Sequence, residues 1–240
     1  MVMVSVLRAP GCENIDEKWF APMYWGEKAV PVSGGGRGSA WFVRSPNGPL
    51  VLRHYRRGGQ AALISVRRYF YAGYDNARSF AEFRLLNELH DKGLPVPKPV
   101  AALVTRHGIL FYEAAILIER IEGALPLQEH PKLSEKDLWC RVGQAIARFH
   151  CAGLDHVDLN CDNILVRDDQ VFLIDFDRCK LHTEATFFNS WRASNLKRLR
   201  RSVEKRCSQI PEARLNTLWD GLIAGYQQAI NPGQLRNPQG

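Results

Sequence analysis

The chain has 240 residues, of which 45% are hydrophobic and 24% charged, and it carries a formal net charge of +7. This composition is ordinary for a globular protein and argues against disorder, and the length is enough for one domain or two small lobes. The excess of positive charge points to an anionic partner: a phosphate-rich substrate, a nucleic acid or an acidic membrane surface. No stretch approaches about 18 uncharged apolar residues, so no membrane span is expected.

Six cysteines are spread along the chain without a C-x-x-C pair and without a cluster that includes histidine. Several of them lie within apolar patterns. We therefore expect reduced, buried thiols in a cytosolic compartment rather than a disulfide framework.

A glycine-rich segment precedes the first predicted pair of strands. It consists of Gly34, Gly35, Gly36, Arg37, Gly38 and Ser39. Glycines in a turn beside a strand let backbone N–H groups approach phosphates closely, so we predict that these six residues contact a nucleotide. A plain loop is the alternative, because the spacing differs from the usual G-x-G-x-x-G.

The segment from Val51 to Tyr74 contains no acidic residue and mixes arginines with aromatic residues. Its members are Arg53, Arg56, Arg57, Arg67 and Arg68 with Tyr55, Tyr69, Phe70, Tyr71 and Tyr74. This combination suits a surface that meets anionic lipid head groups or a phosphorylated glycolipid. A solvated face is the plainer interpretation, and nucleic acid is the rival partner, since arginines and aromatics also form base-stacking platforms.

A helix is predicted for Asn76–His90, because apolar residues recur there on one helical face. Gly93 ends the helix, and a proline-rich extended connector follows. Two strands are predicted for Ala101–Thr105 and Ile109–Ile118, and the second runs into a hinge-like segment that ends at Gly123.

Three further helices are predicted in the second half of the chain, and the last of them is Leu215–Ile230. Ser134–Asp137 has the pattern of a capping box and opens the first of them, which ends at Gly153. Residues 191–206 form an amphipathic basic helix with an apolar stripe at Leu196, Leu199 and Val203. A helix docked on its own domain is the alternative to a membrane-facing one.

The segment Leu154–Arg178 combines two polar motifs with a hairpin. Asn163 follows Asp158 by five residues, and two apolar runs flank the polar turn Arg167–Gln170. The pattern predicts a β-hairpin whose second strand carries Asp175 at its end. A turn whose Asp and Asn residues only supply turn chemistry is the alternative, but two motif pieces in register argue against it.

Phosphoryl transfer explains this spacing. The reaction needs a carboxylate that orients and deprotonates the attacking hydroxyl, and oxygen ligands for Mg²⁺. We predict Asp158 as the catalytic residue and Asn163 and Asp175 as metal ligands. The segment resembles the protein-kinase catalytic loop H-R-D-L-x-x-x-N followed by D-F-G, which stands here as residues 156–163 and 175–177.

The kinase resemblance implies roles for further residues. A kinase-like fold places a lysine on the strand after the glycine-rich loop to hold the α- and β-phosphates. Arg53 stands there in this chain, with a solvent-facing arginine as the alternative. Glu82, which lies mid-helix, or Glu88 would pair with Arg53. Backbone groups at Glu119 and Ile121 would bind adenine.

The whole chain resembles the 3-deoxy-D-manno-octulosonic acid (Kdo) kinases, in the lipopolysaccharide-kinase branch of the kinase-like superfamily. The phrases that carry this resemblance are Gly36–Trp41, Leu52–Gly59, Asp158–Leu165 and Asp175–Arg178. The resemblance implies an α+β, protein-kinase-like bilobal fold. A small β-rich N-lobe would cover residues 1–119 and a larger helical C-lobe residues 120–240.

The same resemblance implies ATP-dependent phosphorylation, with Mg²⁺, of the Kdo sugar of Kdo–lipid IVA at its 4-hydroxyl, in lipopolysaccharide core biosynthesis. It implies an enzyme peripheral to the cytoplasmic face of the bacterial inner membrane, in contact with an anionic surface and without a nucleic-acid partner. Val157 replaces the arginine of H-R-D, and Asp177 replaces the glycine of D-F-G. Both changes argue for a constitutive metabolic kinase rather than a regulated protein kinase.

Two rival functions follow from the same residues. One is another small-molecule kinase, such as an aminoglycoside phosphotransferase, although an aminoglycoside favours an acidic acceptor surface and this chain is basic. The other is a non-catalytic kinase-like module that binds nucleic acid or membrane. The presence of Asp158, Asn163 and Asp175 argues against a module without catalysis.

Overall fold

The computed structural model describes residues 2–32, 39–55, 69–182 and 190–231. The chain divides into two compact units: Met1–Asp91 with Pro97–Glu122 form the first unit, and Lys92–Val96 with Gly123–Gly240 form the second. Gly34 to Gly38 of the predicted phosphate loop, and residues 56–68 of the arginine-rich segment, lie outside the described residues.

The first unit is built on a sheet that contains seven strands in the described part of the chain. These are β1 (Val2–Arg8), β2 (Ala29–Pro31), β3 (Ala40–Ser45), β4 (Gly48–His54), β5 (Tyr69–Phe70), β6 (Pro99–His107) and β7 (Phe111–Glu119). Their order is β1-β6-β7-β4-β3-β2, with β5 paired to β7. Every pair is antiparallel.

In the described part of this unit, two α-helices accompany the sheet: α1 (Pro22–Trp25) and α2 (Arg78–Asp91). The helical periodicity read from the sequence is confirmed, since α2 buries Phe80, Phe83, Leu86 and Leu89. The aromatic residues before β2 also join the core, where Trp19, Phe20 and Trp25 are buried with Leu50 and Leu52 of β4.

The second unit contains most of the helical residues. Its elements are β8 (Leu125–Pro126), α3 (Lys136–Cys151), β9 (Leu154–Asp155), β10 (Ile164–Arg167), β11 (Gln170–Leu173), β12 (Lys180–Leu181), α4 (Ser190–Arg206) and α5 (Glu212–Ile230). Helices α3 and α5 approach closely at two glycines. A Cβ atom at Gly143 would lie 1.9 Å from the Leu222 oxygen, and one at Gly225 would lie 2.2 Å from the Cys140 oxygen. The predicted α+β class, with a β-rich first part and a helical second part, is confirmed.

Two local predictions are wrong. The capping box is absent, because α3 begins at Lys136 with Glu135 at the N-cap and without a side-chain cap hydrogen bond. The strand predicted from Ile109 begins at Phe111, because Gly108, with φ of 68°, starts a turn that holds Ile109 and Leu110. The left-handed backbone at Gly108 is one that glycine adopts without a steric penalty.

Helix α4 is docked within its own unit. Leu199 and Val203 have no exposed surface, and Asn195 lies on the same stripe with 3% exposure. Leu196, the third residue of the predicted apolar stripe, is half-buried. The stripe is therefore mostly covered, which supports the docked alternative.

All six cysteines are free thiols, as expected, but only Cys161 and Cys207 are buried, and Cys151 is exposed. The expectation that the thiols are buried is therefore wrong for most of them. Among the described residues, none of the helices combines the length and hydropathy needed to cross a lipid bilayer.

Candidate active site

The predicted hairpin is confirmed and places Asp175 at a turn in the backbone. Strands β10 and β11 pair in antiparallel register from Ile164 opposite Leu173 to Arg167 opposite Gln170. Asp175 follows β11 with φ of 62°. This left-handed conformation disfavours most residues with a side chain, but Asp and Asn tolerate it.

Backbone and amide hydrogen bonds tie Asp158, Asn163 and Asp175 together. The Asn163 side-chain amide donates to the Asp158 carbonyl oxygen at 3.0 Å. The Ile174 N–H, directly before Asp175, donates to the Asn163 carbonyl oxygen at 3.1 Å. The structure therefore brings the three predicted residues of the second unit into one hydrogen-bonded arrangement.

Asp158 itself is exposed on this loop. Its carboxylate forms no hydrogen bond or ion pair with any described residue, while its carbonyl oxygen accepts bonds from the side chains of Asn160 and Asn163. The backbone of Asp158 is therefore fixed by hydrogen bonds, while its carboxylate is left free to accept a proton from a substrate.

His156 supports the loop rather than taking part in proton transfer. The ring is buried, and its Nε2 lies 3.0 Å from the Ile174 carbonyl oxygen. Since a carbonyl can only accept, Nε2 must carry the proton. Burial lowers the pKa of His156, so the neutral ring is favoured.

Asn195 of α4 clamps the start of the catalytic loop. Its Oδ1 accepts a hydrogen bond from the His156 N–H at 2.9 Å, and its Nδ2 donates to Asp155 Oδ1 at 2.8 Å. Sequence reasoning missed Asn195, although a polar residue on the buried stripe of an amphipathic helix was the available signal.

Replacing Asn195 by leucine is expected to lower the free energy of unfolding by about 1–3 kcal/mol, because the buried His156 N–H and the Asp155 carboxylate each lose a partner. Urea denaturation measures this change. Ser194→Ala, on the exposed side of the same helix, should stay within about 0.5 kcal/mol of the wild type. Wild-type stability in the leucine variant would show that the clamp contributes nothing.

His150 is a second buried histidine, on α3. Its Nδ1 lies 2.8 Å from the Tyr226 hydroxyl, and burial lowers the pKa of His150 from 6.5 to about 4. Burial also raises the pKa of Tyr226 to about 12, so the tyrosine stays protonated and can donate to the neutral ring.

This buried histidine predicts a loss of stability in acid. The unfolded chain protonates His150 below pH 6.5 and the folded chain only near pH 4, so between these values the unfolded state binds more protons. Stability is therefore lost as the pH falls, by about 2 kcal/mol from pH 7 to pH 5. Urea denaturation at both pH values should show a smaller pH dependence in His150→Gln, whereas His90→Gln, at an exposed site, should keep that of the wild type.

In the first unit, Arg53 and Glu82 meet as predicted. Arg53 Nη2 forms an ion pair with Glu82 Oε2, in which the glutamate side chain is only 2% exposed. The Tyr55 hydroxyl donates to the same carboxylate oxygen, and the Arg53 guanidinium lies 5.0 Å from the centre of the Tyr55 ring. Burial raises the pKa of Tyr55 well above its usual value, which keeps it a donor. Glu88, the alternative partner, lies on the exposed side of α2.

Two backbone N–H groups of the hinge-like segment donate hydrogen bonds to carbonyl oxygens of the first unit. The Glu119 N–H donates to the Lys98 carbonyl oxygen and the Arg120 N–H to the Pro49 carbonyl oxygen, both at 2.9 Å. Ile121 N–H has no hydrogen-bond partner among the described residues. If adenine binds here, Ile121 is the donor that remains.

The described residues of the arginine-rich segment, 51–55 and 69–74, do not all face outward. Tyr55 and Tyr69 are buried, and Arg53 points to Glu82, whereas Phe70 is 67% exposed. Of the predicted phosphate loop only Ser39 is described, and its carbonyl oxygen accepts the His54 N–H at 2.8 Å.

The oxygen donors of the catalytic loop fit Mg²⁺. Because the Asn163 amide nitrogen donates to the Asp158 carbonyl, the amide oxygen is the end available as a ligand, and Asp175 supplies a carboxylate. Magnesium prefers such hard oxygen donors and commonly takes only one or two carboxylates, completing its shell with water and substrate phosphates.

Solved structures of similar fold are protein-kinase-like phosphotransferases. WaaP in complex with acyl carrier protein aligns with a TM-score of 0.53 at 16% identity, over 95% of this chain and 98% of that one. Aminoglycoside-3'-phosphotransferase of type VIII aligns with a TM-score of 0.52 at 18% identity, over 84% and 92% of the two chains. These likenesses define the fold.

Sequence comparison defines the family. The model of the lipopolysaccharide kinase (Kdo/WaaP) family matches residues 23–226. The 3-deoxy-D-manno-octulosonic acid kinase of Stenotrophomonas maltophilia (strain K279a) is 53% identical over 216 residues, which are 89% of this chain and 85% of that protein. The enzyme of the same name from Xylella fastidiosa (strain M23) is 51% identical over 188 residues, covering 78% and 74%. The chain belongs to the lipopolysaccharide kinase (Kdo/WaaP) family and is an ATP-dependent phosphotransferase.

Proposed function

We propose that this kinase transfers the γ-phosphate of ATP to the 4-hydroxyl of the Kdo sugar of Kdo–lipid IVA, in lipopolysaccharide core biosynthesis. The observation that carries the proposal is the open carboxylate of Asp158, whose backbone carbonyl accepts a hydrogen bond from the Asn163 side chain, in a chain with relatives named Kdo kinases at more than half identity.

In this mechanism Asp158 orients the sugar hydroxyl and accepts its proton as the phosphoryl group is transferred. Asn163 and Asp175 would hold Mg²⁺, which would neutralise charge on the ATP phosphates. In the first unit, Arg53 contacts the α- and β-phosphates and Glu82 holds its guanidinium in place. The backbone of Glu119 and Ile121 binds adenine, and Gly34, Gly35, Gly36, Arg37, Gly38 and Ser39 cover the phosphates.

The proposed acceptor determines the location that we propose for the enzyme. Kdo–lipid IVA is a phosphorylated glycolipid of the inner membrane, so we place the enzyme at the cytoplasmic face of that membrane, as a peripheral protein. The net charge of +7 supports attraction to an anionic leaflet.

The test is an acceptor comparison with labelled ATP and Mg²⁺. Kdo–lipid IVA in detergent micelles should accept phosphate, and the product should carry it on the Kdo 4-hydroxyl by NMR. Kanamycin and casein, as aminoglycoside and protein acceptors, should stay unlabelled. Phosphate on another hydroxyl would overturn the position, and labelling of kanamycin alone would overturn the substrate.

Replacing Arg53 by lysine tests its nucleotide contact. Lysine keeps the charge but loses the planar fork and the stacking on Tyr55, so the KM for ATP is expected to rise about ten-fold with a smaller change in kcat. Arg44→Lys, an exposed arginine on β3, is the matched control and should keep the wild-type KM. An unchanged KM in Arg53→Lys would remove this arginine from the proposed nucleotide site.

A further inference from the structure

The first unit presents a cluster of exposed apolar side chains where β6 turns into β7. Ile109 is 80% exposed, Leu110 60% and Phe70, on the neighbouring strand β5, 67%. Single exposed apolar residues are ordinary on a protein surface, but a contiguous group marks an interaction site. We call Phe70, Ile109, Leu110 and Phe111 the apolar tip.

Strand pairing holds the apolar tip in one place. The Tyr71 N–H donates to the Leu110 carbonyl oxygen at 2.8 Å, and Phe70 pairs with Phe111 across the strands, with ring centres 5.2 Å apart. Val2 lies at the same end of the sheet as the apolar tip, since Val2 pairs with His107 and His107 pairs with Phe111. Val2 is itself 62% exposed.

Behind the apolar tip lie tyrosines, and arginines lie over the tyrosine rings. Tyr71 is half-buried, and its ring centre lies 4.2 Å from the Arg106 guanidinium. The ring of Tyr69 lies 4.8 Å from the Arg78 guanidinium. Tyrosines and arginines therefore lie together next to the apolar tip. In a bilayer leaflet, an interface that favours aromatic residues and the anionic head groups likewise lie directly outside the acyl chains.

The charges near the apolar tip favour an anionic surface. Among the described residues near the tip, Asp75 is paired with Arg84 at 2.8 Å, and Glu113 lies 3.5 Å from His107, which is charged only when protonated. Arg106 forms no ion pair with any described residue. A turn with a few protruding side chains also offers less area than the roughly 800 Å² per partner of a stable protein interface.

We infer that the apolar tip inserts into the surface of an anionic phospholipid bilayer, with Ile109, Leu110 and Phe70 among the acyl chains and Arg106 at the phosphates. The inference rests on the proposed function in one respect: a glycolipid acceptor requires an enzyme that works at a membrane. Beyond the proposed function, the inference identifies the β6–β7 turn, with Phe70 of β5, as the part of the protein that contacts the membrane.

The experiment is sedimentation with vesicles of phosphatidylethanolamine and phosphatidylglycerol, without ATP or acceptor. The double variant Ile109→Ser with Leu110→Ser is expected to bind these vesicles about ten-fold more weakly or worse than the wild type, because two large apolar side chains are removed. Met23→Ser is the matched control: Met23 is 93% exposed on α1, next to β2 and β3 at the other edge of the sheet.

Transfer to Kdo–lipid IVA in micelles is measured on the same proteins. Retained transfer by the double variant shows that it is folded, and loss of vesicle binding then supports the inference. Failure of the wild type to bind, equal binding by the double variant, or equal loss in Met23→Ser each overturns it. The inference is also overturned if the wild type is a dimer, the double variant is a monomer and vesicle binding is unchanged. The tip would then be the contact between two copies of the chain. Vesicle binding without transfer in the wild type would instead overturn the proposed function and leave the tip intact.

Discussion

Replacing Asp158 by asparagine is expected to lower kcat by about 10²–10⁴-fold while ATP still binds. Asparagine keeps the size and the backbone contacts of this loop, whose Asp158 carbonyl oxygen accepts from Asn160 and Asn163. It removes only the base that accepts the hydroxyl proton. Turnover with Kdo–lipid IVA and equilibrium ATP binding, measured on the same preparation, separate the two effects.

Asp162→Asn is the control for this change. Asp162 lies on the same loop, but its carboxylate accepts hydrogen bonds from Gln128 and Arg206, and asparagine still offers an acceptor oxygen. Near-normal turnover is expected in this control. Near-normal turnover in Asp158→Asn would rule out Asp158 as the base.

Replacing Asp175 by asparagine is expected to lower kcat/KM by about 100-fold or more and to weaken Mg²⁺-dependent ATP binding. The reason is the loss of the only charged oxygen ligand among the two proposed ones. Asparagine is preferable to alanine because the backbone at position 175 is left-handed, with φ of 62°, and asparagine tolerates it. Isothermal titration of ATP at several Mg²⁺ concentrations measures the effect.

Asp168→Asn separates charge from backbone conformation. Asp168 lies in the turn between β10 and β11 with φ of 52°, so the substitution makes the same chemical change in the same backbone region away from the proposed metal. Its Mg²⁺ dependence should match the wild type. An Mg²⁺ dependence unchanged in Asp175→Asn as well would exclude Asp175 as a ligand.

The two residues that depart from the protein-kinase motif, Val157 and Asp177, lie in different loops. Val157 is half-buried in the catalytic loop, next to a histidine whose ring bonds the Ile174 carbonyl. Asp177 is also half-buried, and the left-handed residue of this turn is Arg178, with φ of 62°. A glycine after Phe176 is therefore not needed for the turn in this chain, because Asp175 and Arg178 adopt the positive φ values.

The sequence by itself determined the features that depend on neighbours along the chain. The β10–β11 hairpin follows from two apolar runs around a polar turn, and the helical face of α2 follows from apolar residues that recur every three residues, from Phe80 to Leu89. The proximity of Asp158, Asn163 and Asp175 also depends only on neighbouring residues, since the β10–β11 hairpin brings the chain after β11 back to the residues before β10.

Only the tertiary structure decided which distant groups meet. Asn195 reaches His156 from 39 residues away, and Glu82 rather than Glu88 meets Arg53 because only the buried face of α2 points to the sheet. Gly143 and Gly225 lie inside helices, where glycine is unfavourable, yet the contact of α3 with α5 requires them. A local cause, the left-handed backbone at Gly108, leaves Ile109 and Leu110 exposed where their composition predicted a strand. For Asn195, Glu82 and the two glycines, packing against a remote element, which no local pattern encodes, decided the outcome.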